Sequence, residues 1–259
     1  LPNRTVFITG GATGIGKSTA RYLAKKNYNV IINYRRSREK ALDLIKELQS
    51  NYSGLFFAVE GDVALKDDCV RMYREIADQC GGVDILVHNA GPYFHERKFS
   101  SEYSFEEWEY IINGNLNGPF YLTKLFLPYM RKNGWGRIIT FGFDRAESAP
   151  AWVYRSAFAA AKSGLVSFTK TISLEEAANG ITANMVCPGD IQDRWKEQDI
   201  EKSRGIKDPD TPIGRAGTGE DIARIIAFLC EEESDFITGA VISATGAKDV
   251  LAKGNSSER

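Results

Sequence analysis

Four glycines fall within seven residues near the start of the chain, in the run Thr9-Gly10-Gly11-Ala12-Thr13-Gly14-Ile15-Gly16. Glycines at that density let a chain turn tightly after a strand and bring backbone N–H groups up to a phosphate at the start of a helix. The spacing serves two chemistries. The whole run suits the pyrophosphate of a dinucleotide, while Gly11 through Ser18 also reads G-x-x-x-x-G-K-S, the loop that cradles a nucleoside triphosphate. The triphosphate reading needs a later strand ending in an acid for magnesium, and residues 83–87 carry theirs, Asp84, near the beginning. Further on, Asn33-Tyr34-Arg35-Arg36 closes a second apolar run. An acid there would bind a ribose 2′-hydroxyl, whereas two guanidinium forks match a 2′-phosphate through paired, charge-assisted hydrogen bonds. The alternative for the arginines is a solvated basic loop.

Such residues need a scaffold, and the apolar pattern supplies one. Short apolar runs at residues 6–8, 29–33, 55–59, 83–87, 137–141, 182–186 and 241–243 alternate with stretches of helical period, the rhythm of βαβ units. With right-handed crossovers they predict a single-domain α/β fold, a doubly wound seven-stranded parallel sheet with helices on both faces. Two helices are unusually long, over residues 104–131 and from about 151 to 179, and their length suggests a homodimer or homotetramer. Residues 191–211, charged and without a clean period, predict a mobile flap over the site within a domain spanning 1–247, and 248–259 a flexible tail.

Composition narrows the partners. A chain of 259 residues with 43% hydrophobic side chains can bury one large core, and a net charge of −1 without long Lys/Arg blocks argues against a nucleic-acid groove or a polybasic membrane patch. Cys69, Cys80, Cys187 and Cys230 are scattered, and with only His88 and His95 to join them they lack metal-ligand spacing. The first strand-like run starts almost at residue 1 and no apolar stretch approaches a membrane span, so a cytoplasmic protein is expected.

Further motifs follow the strands in order: Gly61-Asp62-Val63 after the third, Asn89-Ala90-Gly91 after the fourth, Cys187-Pro188-Gly189 after the sixth, then Pro212-Ile213-Gly214-Arg215 and Ile237-Thr238-Gly239. On these motifs and the glycine turn the chain resembles the short-chain dehydrogenase/reductase family, a Rossmann-type fold, along nearly its whole length, and most resembles the 3-oxoacyl-acyl-carrier-protein reductases. The resemblance, with the two arginines, implies NADP(H). It places Gly10, Thr13, Gly14, Ile15 and Gly16 at the pyrophosphate and Tyr34, Arg35 and Arg36 around the 2′-phosphate. Asp62 and the amide of Val63 fall at the adenine, and Asn89, Ala90 and Gly91 beside the adenosine ribose. Lys162 falls on the nicotinamide ribose, with Pro188 and Gly189 at the nicotinamide face. Asp193 stands where the family has a threonine on the carboxamide, and it can still accept from that amide.

The resemblance also implies a catalytic quartet, and here the chain departs from it. Asn115 matches the asparagine that holds a relay water, and Lys162 the lysine that lowers a tyrosine pKa. The serine and tyrosine positions are Phe143 and Phe158. Losing a general acid costs about 10²–10⁴-fold in rate, and losing a polarising hydroxyl a further factor of order 10², less than additively because the two act as a unit. The expectation is an NADP(H)-binding member with an impaired site and a small-molecule or acyl-thioester ligand. The alternative is an active NADPH-dependent oxidoreductase, reducing a 3-oxoacyl thioester or other ketone with altered residues. A triphosphatase is the minor third. Tyr154, four residues before Phe158 on the same helix face, would stand about 6 Å along the axis, beyond a hydrogen bond. Arg131 and Lys132 sit where those reductases carry basic residues near a carrier-protein docking face.

Overall fold

The computed structural model describes residues 4–251. Among them run β1 (Thr5–Ile8), α1 (Gly14–Lys25), β2 (Asn29–Tyr34), α2 (Arg38–Asn51), β3 (Phe56–Glu60), α3 (Lys66–Cys80), β4 (Ile85–His88), α4 (Phe105–Ile112), α5 (Gly118–Asn133), β5 (Gly136–Phe141), α6 (Ser156–Glu176), β6 (Ile181–Pro188), α7 (Ile200–Arg204), α8 (Gly219–Leu229) and β7 (Val241–Ala244). All seven strands pair in parallel, in the order β3-β2-β1-β4-β5-β6-β7. This is the doubly wound sheet expected from the sequence.

Successive residues of β1 show why the strands read as unbroken apolar runs. Val6 and Ile8 face a layer containing Leu23, Leu44 and Ile226, while Phe7 between them faces Met72, Phe126 and Ile172. Both faces are covered, so no position needs to be polar. Because β1 neighbours β2 on one side and β4 on the other, the winding reverses there and opens a crevice at the strands' carboxyl ends.

Two helix expectations are corrected. The long helix over 104–131 is α4 and α5 joined by a π-helical turn at Asn113–Asn117, with α5 running on through Pro128. The helix expected from about 151 begins at Ser156, because Tyr154 takes a left-handed φ of 67° and Arg155 is not helical. Tyr154 is therefore not on the helix with Phe158. The segment 191–211 is structured, with a 3-10 turn at Asp193–Trp195 followed by α7, and it buries Trp195, Ile200 and Ser203. Within the stretch expected as a tail from 248, Lys248 is buried and its ammonium lies 3.1 Å from Asp190, and 252–259 lie outside the described residues.

Arg131 forks its guanidinium onto the buried carboxylate of Glu176 while half of its side chain stays exposed. Among the described residues no helix is long and apolar enough to cross a membrane.

Gly16, in the first turn of α1, is the tightest of the glycines that join β1 to its helix. A Cβ there would lie 2.6 Å from the Asn89 amide nitrogen and closer still to the Gly10 carbonyl. Gly16→Ala is expected to cost about 1–3 kcal/mol through overpacking, seen as a lower urea midpoint with an unchanged slope.

Candidate functional site

The turn between β1 and α1 is held from two sides. Gly10 and Gly14 take left-handed φ values of 63° and 61°, which a side chain would resist. The Gly10 N–H donates to Asn33 Oδ1 at 3.1 Å, and Asn33 Nδ2 donates to the Gly61 carbonyl at 2.9 Å. From the other side Asn89 Nδ2 donates to the carbonyls of Thr9 and Gly10 at 2.9 and 3.1 Å, and the Ala90 N–H reaches Thr9 Oγ1 at 3.0 Å. The turn is thus tied to the ends of β2 and β4, and the N-terminus of α1 is aimed across the crevice.

A cavity of about 480 Å³ opens over this turn. Gly10, Thr13, Gly14, Ile15, Tyr34, Arg35, Arg36, Asp62, Val63, Asn89, Ala90 and Gly91 all line it. Gly16 lies beneath, buried in the turn. Asn33, Tyr110 and Lys196 also line the cavity and were missed from the sequence. For Asn33 a signal existed, a polar residue closing an apolar strand; for Tyr110 and Lys196 none did. Arg35 donates to Asp62 Oδ2 at 3.2 Å and lies 5.6 Å over the Tyr110 ring, while the Tyr110 hydroxyl donates to the same oxygen at 3.1 Å.

Helix α1 has no acid in its first turn and no side-chain cap from Thr13. A carboxylate arrives instead from 183 residues away: the Gly14 N–H donates to Glu197 Oε1 at 2.8 Å, and the Lys17 ammonium stands 2.9 Å from Oε2. Burial pushes the Glu197 carboxyl up, but these two partners outweigh it and leave the pKa below the ordinary value. Asp193 points into solvent, with its carboxylate on Lys196 at 2.7 Å. Gly189 borders a separate cavity of about 180 Å³, and Pro188 ends β6.

Lys162 is 4% exposed on α6. Burial pushes its ammonium from 10.5 down to about 8, and the Phe158 ring lies 5.6 Å from it. Phe158 belongs to an aromatic group, with Tyr93 at 5.0 Å, Trp152 at 6.0 Å and Phe143 at 6.2 Å between ring centroids. Asn115 is fully buried in the π-helical turn; its amide donates to the carbonyls of Pro92 and Ile111, while Oδ1 finds no partner among the described residues. His88, beside Lys162, is buried and pushed down to about 3, chiefly by burial and further by the lysine's charge, so it is a neutral ring on Thr123. Asp144 and Arg145 pair with each other, and Arg145 also with Asp249, so this loop is stitched to the C-terminal segment.

Asp84 settles the triphosphate reading against itself. Its carboxylate holds the Thr5 N–H at 2.8 Å, at the opposite end of the sheet from the glycine turn. Among the described residues no cluster of three or more His, Cys, Asp or Glu could hold a metal ion. A glycine turn at the switch point of a doubly wound sheet defines a Rossmann-type α/β protein. Residues 4–203 match the family described as short chain dehydrogenase, and the chain belongs to that family, which uses NAD(P)(H). YtkK of Bacillus subtilis (strain 168), which bears a provisional oxidoreductase name, is 50% identical over 251 residues, 96% of this chain and 98% of its own. A solved structure from Bacillus thuringiensis, provisionally named a 3-oxoacyl-reductase, superposes with a TM-score of 0.89 at 47% identity, covering 96% of this chain and 99% of the other. A blue fluorescent protein from a metagenomic library, solved in complex with NADPH, gives a TM-score of 0.81 at 28% identity, covering 98% of each.

The buried lysine has a measurable consequence. Between about pH 8 and 10.5 the unfolded chain holds a proton that the folded chain has shed, so stability rises with pH across that window. Below it the burial penalty stands in full. Lys162→Met is expected to raise unfolding free energy by on the order of 1–3 kcal/mol at pH 7, and by much less at pH 10, measured by urea titration at both.

Proposed function

We propose that this protein binds NADP(H) in the manner of its family while its own side chains give ordinary carbonyl reduction little help. The observation that carries the reading is the Phe158 ring, which faces the Lys162 ammonium at 5.6 Å. Positions 143 and 158 are those where the family resemblance expects the serine and the tyrosine. Without them no hydroxyl polarises a carbonyl beside the lysine, and Lys162 has no phenol through which to pass a proton.

The cofactor, when bound, supplies a hydride. Two features support the fit of the residues to it: the left-handed glycine turn, and the Glu197 carboxylate already seated on the Gly14 N–H as an anion. The turn from Gly10 to Gly16 would hold the pyrophosphate. Arg35 and Arg36 would hold a 2′-phosphate, Asp62 and Val63 the adenine, and Asn89, Ala90 and Gly91 its ribose. In the family's manner Lys162 would bind the nicotinamide ribose, Pro188 and Gly189 the nicotinamide face and Asp193 its carboxamide, with Asn115 holding a relay water.

A second reading, an active reductase of a 3-oxoacyl thioester or other ketone, is favoured by one contact. The Tyr93 hydroxyl accepts from Arg155 Nε at 2.7 Å, and its ring meets Phe158 edge-on. That phenol packs against the position where the family resemblance expects the catalytic one. On this reading Tyr93→Phe abolishes turnover.

Two measurements test the proposal. NADPH should bind more tightly than NADH in a fluorescence titration, and Arg35→Glu should erase the difference; equal affinities in the unaltered protein would remove the assignment. Phe158→Tyr with Phe143→Ser should raise ketone reduction by on the order of 10²-fold or more. Because Phe143 is buried, its loss costs about 3–5 kcal/mol, so circular dichroism should first establish that the double variant is folded. An unaltered protein turning over at roughly 1–10³ s⁻¹ would overturn the impaired-site reading in favour of the second.

A further inference from the structure

The strap formed by residues 193–198 makes contacts at the glycine turn that the dinucleotide reading leaves unexplained. Glu197 holds the Gly14 N–H at 2.8 Å and Lys17 at 2.9 Å. The carbonyl of Lys196 accepts from Ser18 Oγ at 3.0 Å, so the strap is tied to α1 at two successive residues. The aliphatic stem of Lys196 lies over the turn, 3.7 Å from where a Gly14 side chain would begin, and lines the 480 Å³ cavity. Its ammonium is turned aside onto Asp193, which is itself 91% exposed. Trp195, in the same strap, is only 7% exposed, yet its indole N–H has no acceptor among the described residues. A buried donor without a partner costs free energy. It marks an arrangement that leaves one of the strap's own groups unsatisfied.

Resting on the reading of this cavity as a dinucleotide site, we propose that Glu197 and Lys196 form an exchange latch. The Glu197 carboxylate is the anion at the α1 N-terminus. A pyrophosphate seated on the same turn cannot share that place with a carboxylate, because two anions at one helix terminus repel. Glu197 leaves, and Lys196 trades its solvent-exposed tie to Asp193 for the incoming phosphate. The helix end keeps an anion throughout, and the strap changes the sign of the charge that it offers to the cavity. No bond is made or broken; the exchange is one of ion pairs.

The latch lowers apparent affinity by the fraction of molecules in which it is closed. Adjacent residues therefore have opposite effects. Glu197→Gln keeps the shape and removes the charge, and should tighten NADPH binding roughly tenfold if the latch is closed in about nine molecules of ten. Lys196→Met should weaken binding by a comparable factor, with a shallower dependence on salt. The probes are NADPH fluorescence titrations on both variants, with hydrogen exchange at residues 14–18 in the absence of nucleotide. In Glu197→Gln the Gly14 amide should exchange faster. Glu197→Asp, one methylene short of the turn, serves as the second variant and should shift affinity in the same direction as the glutamine. Unchanged or weakened affinity in both position-197 variants overturns the latch while leaving the dinucleotide reading intact. Absence of NADPH binding in the unaltered protein and in every variant overturns both.

Discussion

Two side-chain amides, Asn33 and Asn89, hold the β1–α1 turn closed, and the rest of the site is arranged around that constraint. The turn brings backbone so close to backbone that no Cβ fits at Gly16, and its left-handed residues cost conformational entropy to hold. The amides return hydrogen bonds to Gly10 on both its N–H and its carbonyl. Because each amide is carried at the end of a neighbouring strand, the same bonds fix the turn to β2 and β4. Sheet register thus sets the aim of α1, whose N-terminal turn lines the cavity.

Around Lys162 the physics runs the opposite way. Lys162 is buried beside a neutral His88 ring, and the Phe158 ring offsets part of the desolvation as a cation–π partner, worth about 2 kcal/mol when water is excluded. Near the glycine turn, charge is met by charge: Arg35 by Asp62, Lys17 by Glu197, Lys196 by Asp193. The glycine-turn side is polar and ion-paired, the surroundings of Lys162 are buried and packed with aromatic rings, and the cavity opens over the polar side.

Much of this was legible in the sequence, and what was not has a common cause. The strands could be read because burial on both faces writes continuous apolar runs, and β1, β2 and β5 fall within a residue or two of expectation. The glycine turn and the residues following β2, β3 and β4 were legible because each is local chemistry at a strand end. Glu197, Lys196 and Tyr110 were not, since they reach the turn across long separations that leave no periodicity. Tyr154 was misplaced because helical period was extended through a residue that adopts a left-handed conformation. The strap showed no clean period and was read as a flap, because its burial depends on single residues such as Trp195 rather than on a repeating face.

The π-helical turn at Asn113–Asn117 has a consequence for how this gene can vary. One extra residue in a helical turn rotates everything beyond it by about 100° relative to a regular helix. It lets a single rod serve two surfaces, since α4 packs against α6 while α5 packs against α3 and β5. Loss of one codon within this stretch would restore an ordinary helix and keep the reading frame, yet it would turn α5 out of phase with the sheet or α4 out of phase with the crevice. Insertions and deletions are therefore barred from this rod as firmly as from a strand, although nothing in the apolar pattern of 105–133 announces it.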